Sequence, residues 1–200
     1  MGMNRALRRL SVVGLRLGLG VGLGAAPSLL SSLLVPLLPP PAAALEVDGQ
    51  TFFRSPPWKV DFANYYWYVM QAGGEYYFTV TLPERAGAGL GQLVIQQTRG
   101  VDRNFPYFTE RTRAFFGRPR QEGAAIPVQA AFDAQARRMT VQFLQPPQPG
   151  QTVTVALLPV HNPTWSDTYM FGVQALPAGP NPVPASLGFV TMSIYSNNRI

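Results

Sequence analysis

The chain of 200 residues contains no cysteine, one histidine and one lysine. Without cysteine there is no disulfide scaffold, no thiolate metal site and no thiol nucleophile. The single histidine, His161, supplies too few imidazole ligands for a zinc or copper site, and no run of acids has the spacing of a calcium loop. The sequence therefore predicts a protein without a metal, without another cofactor and without cysteine-based catalysis.

Charged residues are also scarce, at 13% of the chain, and their sign is unevenly distributed. The formal net charge is +6, but residues 1–44 hold four arginines and no acid. From Leu45 onward, 12 basic residues accompany 10 acidic ones, which leaves a net charge of +2. Nucleic-acid binding, which normally needs a strongly basic surface, is therefore not expected.

Residues 1–44 have the layout of an export signal, with basic residues, an apolar Leu/Gly/Val run and then three small residues, Ala42 to Ala44. The segment is long for a signal peptide, and residues 17–38 would span about 33 Å as a helix, enough for a bilayer core. Four glycines and two prolines within that run disfavour a stable membrane helix. We therefore expect a cleaved signal peptide at 1–44, with a retained anchor as the alternative. Arg8-Arg9 leaves twin-arginine export open beside the general route.

Alternation of apolar and polar residues with period two predicts half-buried β-strands in the rest of the chain. The clearest examples are residues 76–82, 139–143 and 152–157. Between the last two, residues 145–151 contain three prolines and a glycine, which predicts the turn of a hairpin.

Weaker strand candidates include residues 62–70 and 125–132, and they bring the number of strands to about eight. No segment after Leu45 carries the apolar stripe of an amphipathic helix. Many short strands separated by Gly/Pro-rich turns indicate an all-β protein. The sequence thus predicts a single immunoglobulin-like β-sandwich domain at residues 45–200, a length that suits one domain.

Several short motifs follow one another in a fixed order between residues 49 and 195. They are Tyr76-Tyr77-Phe78-Thr79-Val80, Leu82-Pro83-Glu84, Val94-Ile95-Gln96-Gln97, Phe115-Phe116-Gly117, Pro159-Val160-His161-Asn162-Pro163 and Tyr169-Met170-Phe171-Gly172-Val173. This series resembles a family of secreted cyanobacterial proteins that is classified only as a domain of unknown function (DUF). The resemblance implies an exported β protein of the cell envelope, and it brings no known activity and no catalytic residue. After the Asn-Pro pair the family usually has small residues, whereas this chain has Trp165, Ser166 and Asp167, so a shared surface would differ at this loop.

The most basic stretch is residues 99–120, with six arginines, two acids and a net charge of +4. The six are Arg99, Arg103, Arg111, Arg113, Arg118 and Arg120. Together with interleaved aromatic residues they favour contact with an anionic protein, an anionic polymer or a membrane surface, to which the domain would attach peripherally. The alternative is a solvated loop beside an edge strand whose charges oppose aggregation.

A run of four aromatic residues, Tyr65, Tyr66, Trp67 and Tyr68, offers a second candidate surface. If the run lies on a strand, its side chains point to both faces of the sheet. Exposed tyrosine and tryptophan rings stack on sugars or form protein interfaces, and buried ones belong to the core. The run therefore predicts either a carbohydrate-binding surface or a part of the core.

The sequence also contains residues for two catalytic arrangements. A Ser-His-Asp site would have to use His161, with Ser166 and Asp167 near it in sequence, but no serine has the glycine pattern of a nucleophile elbow. Scattered acids could form a glycosidase pair, although no spacing singles out two of them. The acids considered are Asp61, Glu75 and Glu84.

The sequence thus favours a non-catalytic exported envelope protein that binds an anionic partner through arginines. A carbohydrate-binding module that uses exposed aromatics is the first alternative, and an envelope hydrolase is the second. The compartments that remain open are the periplasm, the thylakoid lumen and the cell surface.

Overall fold

The computed structural model describes residues 45–103 and 105–197, so the predicted export segment at 1–44 lies outside the described residues. The described part contains twelve β-strands and one three-residue 3₁₀ turn, Thr109–Arg111, and no α-helix. The strands are β1 (Leu45–Val47), β2 (Gln50–Phe52), β3 (Val60–Asn64), β4 (Tyr76–Thr81), β5 (Leu90–Arg99), β6 (Arg113–Arg118), β7 (Gln121–Ile126), β8 (Val128–Asp133), β9 (Arg138–Phe143), β10 (Thr152–Leu157), β11 (Asp167–Pro177) and β12 (Ala185–Ile194). Within residues 45–103 and 105–197, no helix is long and apolar enough to cross a membrane.

Ten of these strands form two five-stranded antiparallel sheets. The first sheet has the order β3-β4-β10-β6-β7, the second has the order β12-β11-β5-β9-β8, and β1 and β2 form a separate hairpin. The two sheets share one core, which confirms the prediction of an all-β, immunoglobulin-like sandwich. The number of strands exceeds the predicted eight, partly because the candidate strand at 125–132 is divided. Pro127 separates β7, in the first sheet, from β8, in the second.

The core follows directly from the period-two pattern of the sequence. In β4, Tyr76, Phe78 and Val80 point inward and are at most 1% exposed. They lie opposite Leu157, Val155 and Val153 of β10 in the antiparallel register. The second sheet contributes a matching apolar layer from four strands, namely Leu93, Ile95, Met139, Val141, Phe143, Tyr169, Phe171, Val173, Leu187, Val190 and Met192.

The Pro-rich turn at 145–151 does not close a hairpin, so that prediction was wrong. β9 belongs to the second sheet and β10 to the first, and the turn carries the chain from one sheet to the other. It is held by the connection after β4, where Leu82 N–H donates to Gln151 O (2.9 Å) and Gly150 N–H donates to Leu82 O (3.0 Å). Proline and glycine indicate that the chain reverses direction, but they do not indicate which strands pair.

The turn between β6 and β7 leaves the first sheet and lies over its outer face. The pairing of β6 with β7 shifts register between Phe115 and Gly117, and the backbone of Gly117 has φ +95°. Thr154 Oγ1 on β10 donates to Gly117 O (2.7 Å). As a result Phe115, although it is on the outer face, is only 2% exposed. Arg118 reaches Asp61 on β3, three strands away in the order of the sheet.

Several loops of the two sheets lie at one end of the sandwich. β3, β5, β10 and β12 end there, and β4 and β11 begin there. We call this the loop end and define it by residues 65–75, 99–103, 158–167 and Tyr195, together with the turn at 134–137 between β8 and β9.

Candidate functional site

The six arginines of the 99–120 stretch do not share one surface. Arg113, Arg118 and Arg120 lie over the outer face of the first sheet, where each contacts an acid or an aromatic ring. Arg111 lies in the 3₁₀ turn that precedes β6 and packs on Phe108, with 5.4 Å between its Cζ atom and the ring centroid. Arg99 ends β5 and lies with Arg103 at the loop end. The stretch is thus divided among the outer face of the first sheet, the 3₁₀ turn and the loop end.

Arg113 is engaged by two acids at once. Its Nε and Nη2 donate to the two carboxylate oxygens of Glu75 (2.8 Å each), and its Nη1 donates to Glu122 (2.6 Å). Its guanidinium also lies 5.2 Å from the ring centroid of Phe115. Such bidentate pairing satisfies most of the guanidinium donors, so little of Arg113 remains for an external anion.

The same contact sets the protonation of the acid. The hydrogen bond from Arg113 lowers the pKa of Glu75, against the opposing effect of burial, and a further hydrogen bond from the hydroxyl of Tyr77 adds to the lowering. A carboxyl whose pKa is lower in the folded protein stabilises the fold above its unfolded pKa, and this stabilisation is lost as the pH falls through the folded value.

We expect the Glu75→Gln variant to be less stable than the unaltered protein by about 1 kcal/mol at pH 7, because a partly exposed ion pair is partly screened by solvent. The difference should be smaller at a pH below the lowered pKa of Glu75, where the acid is protonated in the folded protein too. Urea unfolding at both pH values measures it. Asp133→Asn is the control, because the ion pair of Asp133 with Arg138 is long (3.8 Å) and about half-exposed on both sides. A Glu75→Gln deficit that is equal at both pH values would contradict the assignment.

Arg118 and Arg120 fasten the β6–β7 turn to the sheet beneath it. Arg118 Nη1 donates to Asp61 (2.9 Å), whose other oxygen lies 3.4 Å from Lys59 Nζ. Arg120 Cζ lies 4.0 Å from the ring centroid of Tyr65, which is a close cation–π contact. These two arginines thus have structural partners within the chain.

A basic hollow at the loop end contains two arginines of the stretch and one from outside it. Arg99, Arg103 and Arg137 line it together with one acid, Asp167, and its volume is about 620 Å³. We call it the arginine hollow. Arg99 and Arg137 form no ion pair with any residue of the described ranges. The guanidinium groups of Arg99 and Arg137 are therefore not neutralised by an ion pair within the described ranges.

The sequence did not predict Arg137 as part of a basic surface, because it lies 17 residues after the end of the basic stretch. It lies in the turn between β8 and β9 with φ +53°, and its carbonyl accepts the N–H of Gln97 (3.0 Å). The antiparallel pairing of Gln96 with Arg138 then places the turn beside the end of β5. Only knowledge of that pairing brings Arg137 next to Arg99.

The two acids near the hollow are used to tie two loops together. Asp167 Oδ2 accepts the N–H of Val101 (2.9 Å), and Asp102 Oδ2 accepts the N–H of Thr164 (2.8 Å). Gln97 Nε2 holds the first loop from below by donating to Asp102 O (2.7 Å). These reciprocal bonds fix residues 100–103 against residues 164–167. They also engage the carboxylates with backbone amides.

The aromatic run lies in the loop after β3 and not on a strand. Tyr65 is half-buried, whereas Tyr66, Trp67 and Tyr68 are between 39% and 45% exposed. The loop is fixed by the buried side chain of Asn162, whose Nδ2 donates to Tyr66 O (2.8 Å) and Tyr68 O (2.9 Å). The alternating two-face arrangement expected for a strand is therefore absent from this run.

Beside the run, an open groove lies between β3 and β12, the outermost strands of the two sheets on one side. Its volume is about 410 Å³, and we call it the edge groove. Its lining combines aromatic and polar residues, namely Phe62, Asn64, Trp67, Thr191, Met192, Ser193 and Tyr195. Of the four residues of the aromatic run, Trp67 lines this groove.

Four residues of the catalytic alternatives are engaged by other groups of the chain. His161 Nδ1 lies 2.7 Å from Asn162 O, and Asp167 holds a backbone amide instead of the imidazole. Asp61 and Glu75 are paired with arginines on the outer face of the first sheet. No group of three or more His, Cys, Asp or Glu residues that could hold a metal occurs among residues 45–103 and 105–197.

A family model described as "Protein of unknown function (DUF2808)" matches residues 50–194, and no curated protein matches the sequence. Among solved structures, the bacterial hydrophobin BslA is similar with 14% identity and a TM-score of 0.39, over 72% of this chain and 99% of that chain. The collagen-binding domain of a Staphylococcus aureus adhesin has 5% identity and a TM-score of 0.35, over 61% and 87%. The collagen-binding subdomain of the Enterococcus faecalis surface protein ACE has 9% identity and a TM-score of 0.38, over 70% and 99%. At these identities and TM-scores, the likeness carries no information about what this chain binds.

Proposed function

The chain belongs to the DUF2808 family of proteins of unknown function, and on that premise we propose that residues 45–200 act as a non-catalytic, exported binding domain of the cell envelope. Its binding site is the arginine hollow, which takes an anionic group. Export is expected from the layout of residues 1–44.

The arginine hollow carries this proposal. Three arginines line a space of about 620 Å³ with a single acid, and that acid accepts backbone N–H groups of Val101 and Thr168. Guanidinium groups match carboxylate and phosphate oxygens in geometry and remain charged at any physiological pH. Arg113 and Arg118 contribute less, because acids of the chain already occupy their donors.

We expect the double variant Arg99→Glu/Arg137→Glu to bind a soluble polyanion, sodium polyphosphate, at least tenfold more weakly than the unaltered protein. Titration at increasing salt measures this, and the affinity of the unaltered protein should fall steeply because exposed charges are screened. The matched control is Arg54→Glu/Arg85→Glu, which makes the same change of charge at exposed positions around the opposite end of the sandwich. Equal losses in the two double variants would show that only net charge matters, and would refute a site at the hollow.

A second candidate, carbohydrate binding, is favoured by the edge groove. Trp67 and Tyr195 supply rings on which a sugar can stack, and Asn64, Thr191 and Ser193 supply polar groups. The same titration distinguishes the two candidates when a neutral envelope polysaccharide replaces polyphosphate. Binding that is lost in Trp67→Ala and kept in Arg99→Glu/Arg137→Glu would support the groove against the hollow.

A further inference from the structure

We infer that the loop end docks on an anionic lipid bilayer, with Val101 and Trp165 entering the interfacial region and the arginine hollow receiving lipid phosphates. This inference rests on the proposed function, and it names the partner of the same site.

Exposed apolar side chains are concentrated at the loop end. Twelve large hydrophobic side chains of the described residues are exposed, and seven of them belong to this end. The seven are Tyr66, Trp67, Tyr68, Met70, Val101, Trp165 and Tyr195. Large exposed apolar clusters on a soluble surface mark contact sites with proteins or membranes. Tryptophan and tyrosine are the residues that accumulate at the water–lipid boundary.

Val101 and Trp165 remain exposed because their loops are fixed in place. They are 63% and 65% exposed, and they lie on the two loops that Asp102 and Asp167 tie together. The hydroxyl of Tyr169 additionally donates to Trp165 O (2.8 Å). Removing apolar surface from water is favourable, so leaving these two side chains exposed costs free energy. The hydrogen bonds of the two loops hold both side chains in these exposed positions.

Basic charge lies directly beside these side chains. Val101 itself lines the arginine hollow, between Arg99 and Arg103 in sequence, and Asp167 of the second loop lines it too. Each arginine near an anionic leaflet increases the partitioning of a protein onto that membrane roughly fivefold. Shallow apolar insertion together with basic residues is the combination used by peripheral membrane proteins.

The neighbouring loop extends the same surface. Met70 N–H donates to Pro163 O (3.1 Å), and Tyr195 N–H donates to Trp67 O (2.7 Å). Residues 65–75 are thus bonded to both the 158–167 loop and the end of β12. A soluble polyanion would bind the arginines but would leave the exposed apolar side chains of the loop end in water. A bilayer would contact both the arginines and these apolar side chains.

The experiment that tests this inference measures the fluorescence emission of one tryptophan, Trp165. The chain has three tryptophans, none of them in residues 1–44, so emission reports on the described part alone. In the full chain, Trp58→Phe/Trp67→Phe leaves Trp165 as the only tryptophan, and Trp67→Phe/Trp165→Phe leaves only Trp58. Trp58 is the matched control, because it is 75% exposed and precedes β3 at the opposite end.

On vesicles of phosphatidylglycerol and phosphatidylcholine, we expect the emission of Trp165 to shift to shorter wavelength and that of Trp58 to stay unchanged. On pure phosphatidylcholine neither should shift. Partitioning of Arg99→Glu/Arg137→Glu onto the anionic vesicles should fall at least about 25-fold. Partitioning of Trp165→Ala should fall about tenfold, while its binding to soluble polyphosphate stays as in the unaltered protein.

The outcomes separate this inference from the function it rests on. If polyphosphate is bound through Arg99 and Arg137 and the Trp165 emission does not shift on anionic vesicles, the bilayer is refuted and the anion site stands. If neither polyphosphate nor vesicles respond to the arginine variants, both are refuted. A shift that is equal for Trp165 and Trp58 would show that residues 1–44 or nonspecific adsorption bring the protein to the vesicle, and would also refute docking by the loop end.

Discussion

Replacing Asn162 with alanine is expected to lower the free energy of unfolding by about 3 kcal/mol or more. The Asn162 side chain is fully buried and makes three hydrogen bonds. It accepts the hydroxyl proton of Tyr76 (2.8 Å) and donates to the carbonyls of Tyr66 and Tyr68. Each buried group that loses its partner costs roughly 1–3 kcal/mol, and the Tyr76 hydroxyl is enclosed by the core.

Urea unfolding of Asn162→Ala measures this effect, with Tyr76→Phe as the matched variant. Tyr76→Phe removes one of the three bonds and keeps the ring, so it should cost only about 1–2 kcal/mol. Binding in the edge groove offers a second measurement, because Asn162 fixes the loop that carries Trp67. An Asn162→Ala protein that is no less stable than Tyr76→Phe would mean that the two carbonyl contacts do not hold the 65–75 loop.

Replacing Gly100 with alanine is expected to lower the free energy of unfolding by about 3 kcal/mol or more. This is the largest loss that we expect from adding one methyl group in the loop end. Gly100 has φ +132°, a region that side chains rarely adopt. A Cβ atom there would clash with the ring of Tyr169, which is fully buried. Overpacking of this kind distorts the backbone or the ring.

Gly73→Ala is the control for the backbone conformation alone. Gly73 has φ +81°, and a Cβ atom would meet nothing within 4 Å, so the variant should cost only about 1 kcal/mol. Thermal or urea unfolding of both variants gives the difference that the Tyr169 ring causes. If Gly100→Ala does not fold, the same comparison in a Tyr169→Leu background isolates the clash, and an equal cost of Gly100→Ala in both backgrounds would contradict it.

The pattern of alternation was sufficient to locate β4, β9 and β10, because period two reports directly which side chains are buried. It could not assign those strands to sheets. The turn at 145–151 illustrates this, since the same prolines serve a crossing between sheets as well as a hairpin. Pro127 is the converse case, where one proline ended a strand in one sheet and the apolar pattern continued into the other.

The candidate sites depend on contacts between residues that are far apart in the sequence, and such contacts could not be predicted from the sequence. Arg113 and Glu75 are 38 positions apart, and their bidentate contact removes Arg113 from the surface available to an anion. Arg137 joins Arg99 only through the pairing of β5 with β9. The polar anchor Asn162 is separated by more than 80 residues from Tyr76, so its motif was visible in the sequence while its hydrogen bonds were not.

Tyr169 couples the conformation of the loop end to the stability of the core. Its ring is part of the core, its face closes against Gly100, and its hydroxyl holds the carbonyl of Trp165. Any occupant that requires both loops in this arrangement binds the folded chain and not the unfolded one. Mass action then raises the unfolding free energy in proportion to the logarithm of occupant concentration. The melting temperature of the sandwich is thus a direct readout of whatever the loop end holds.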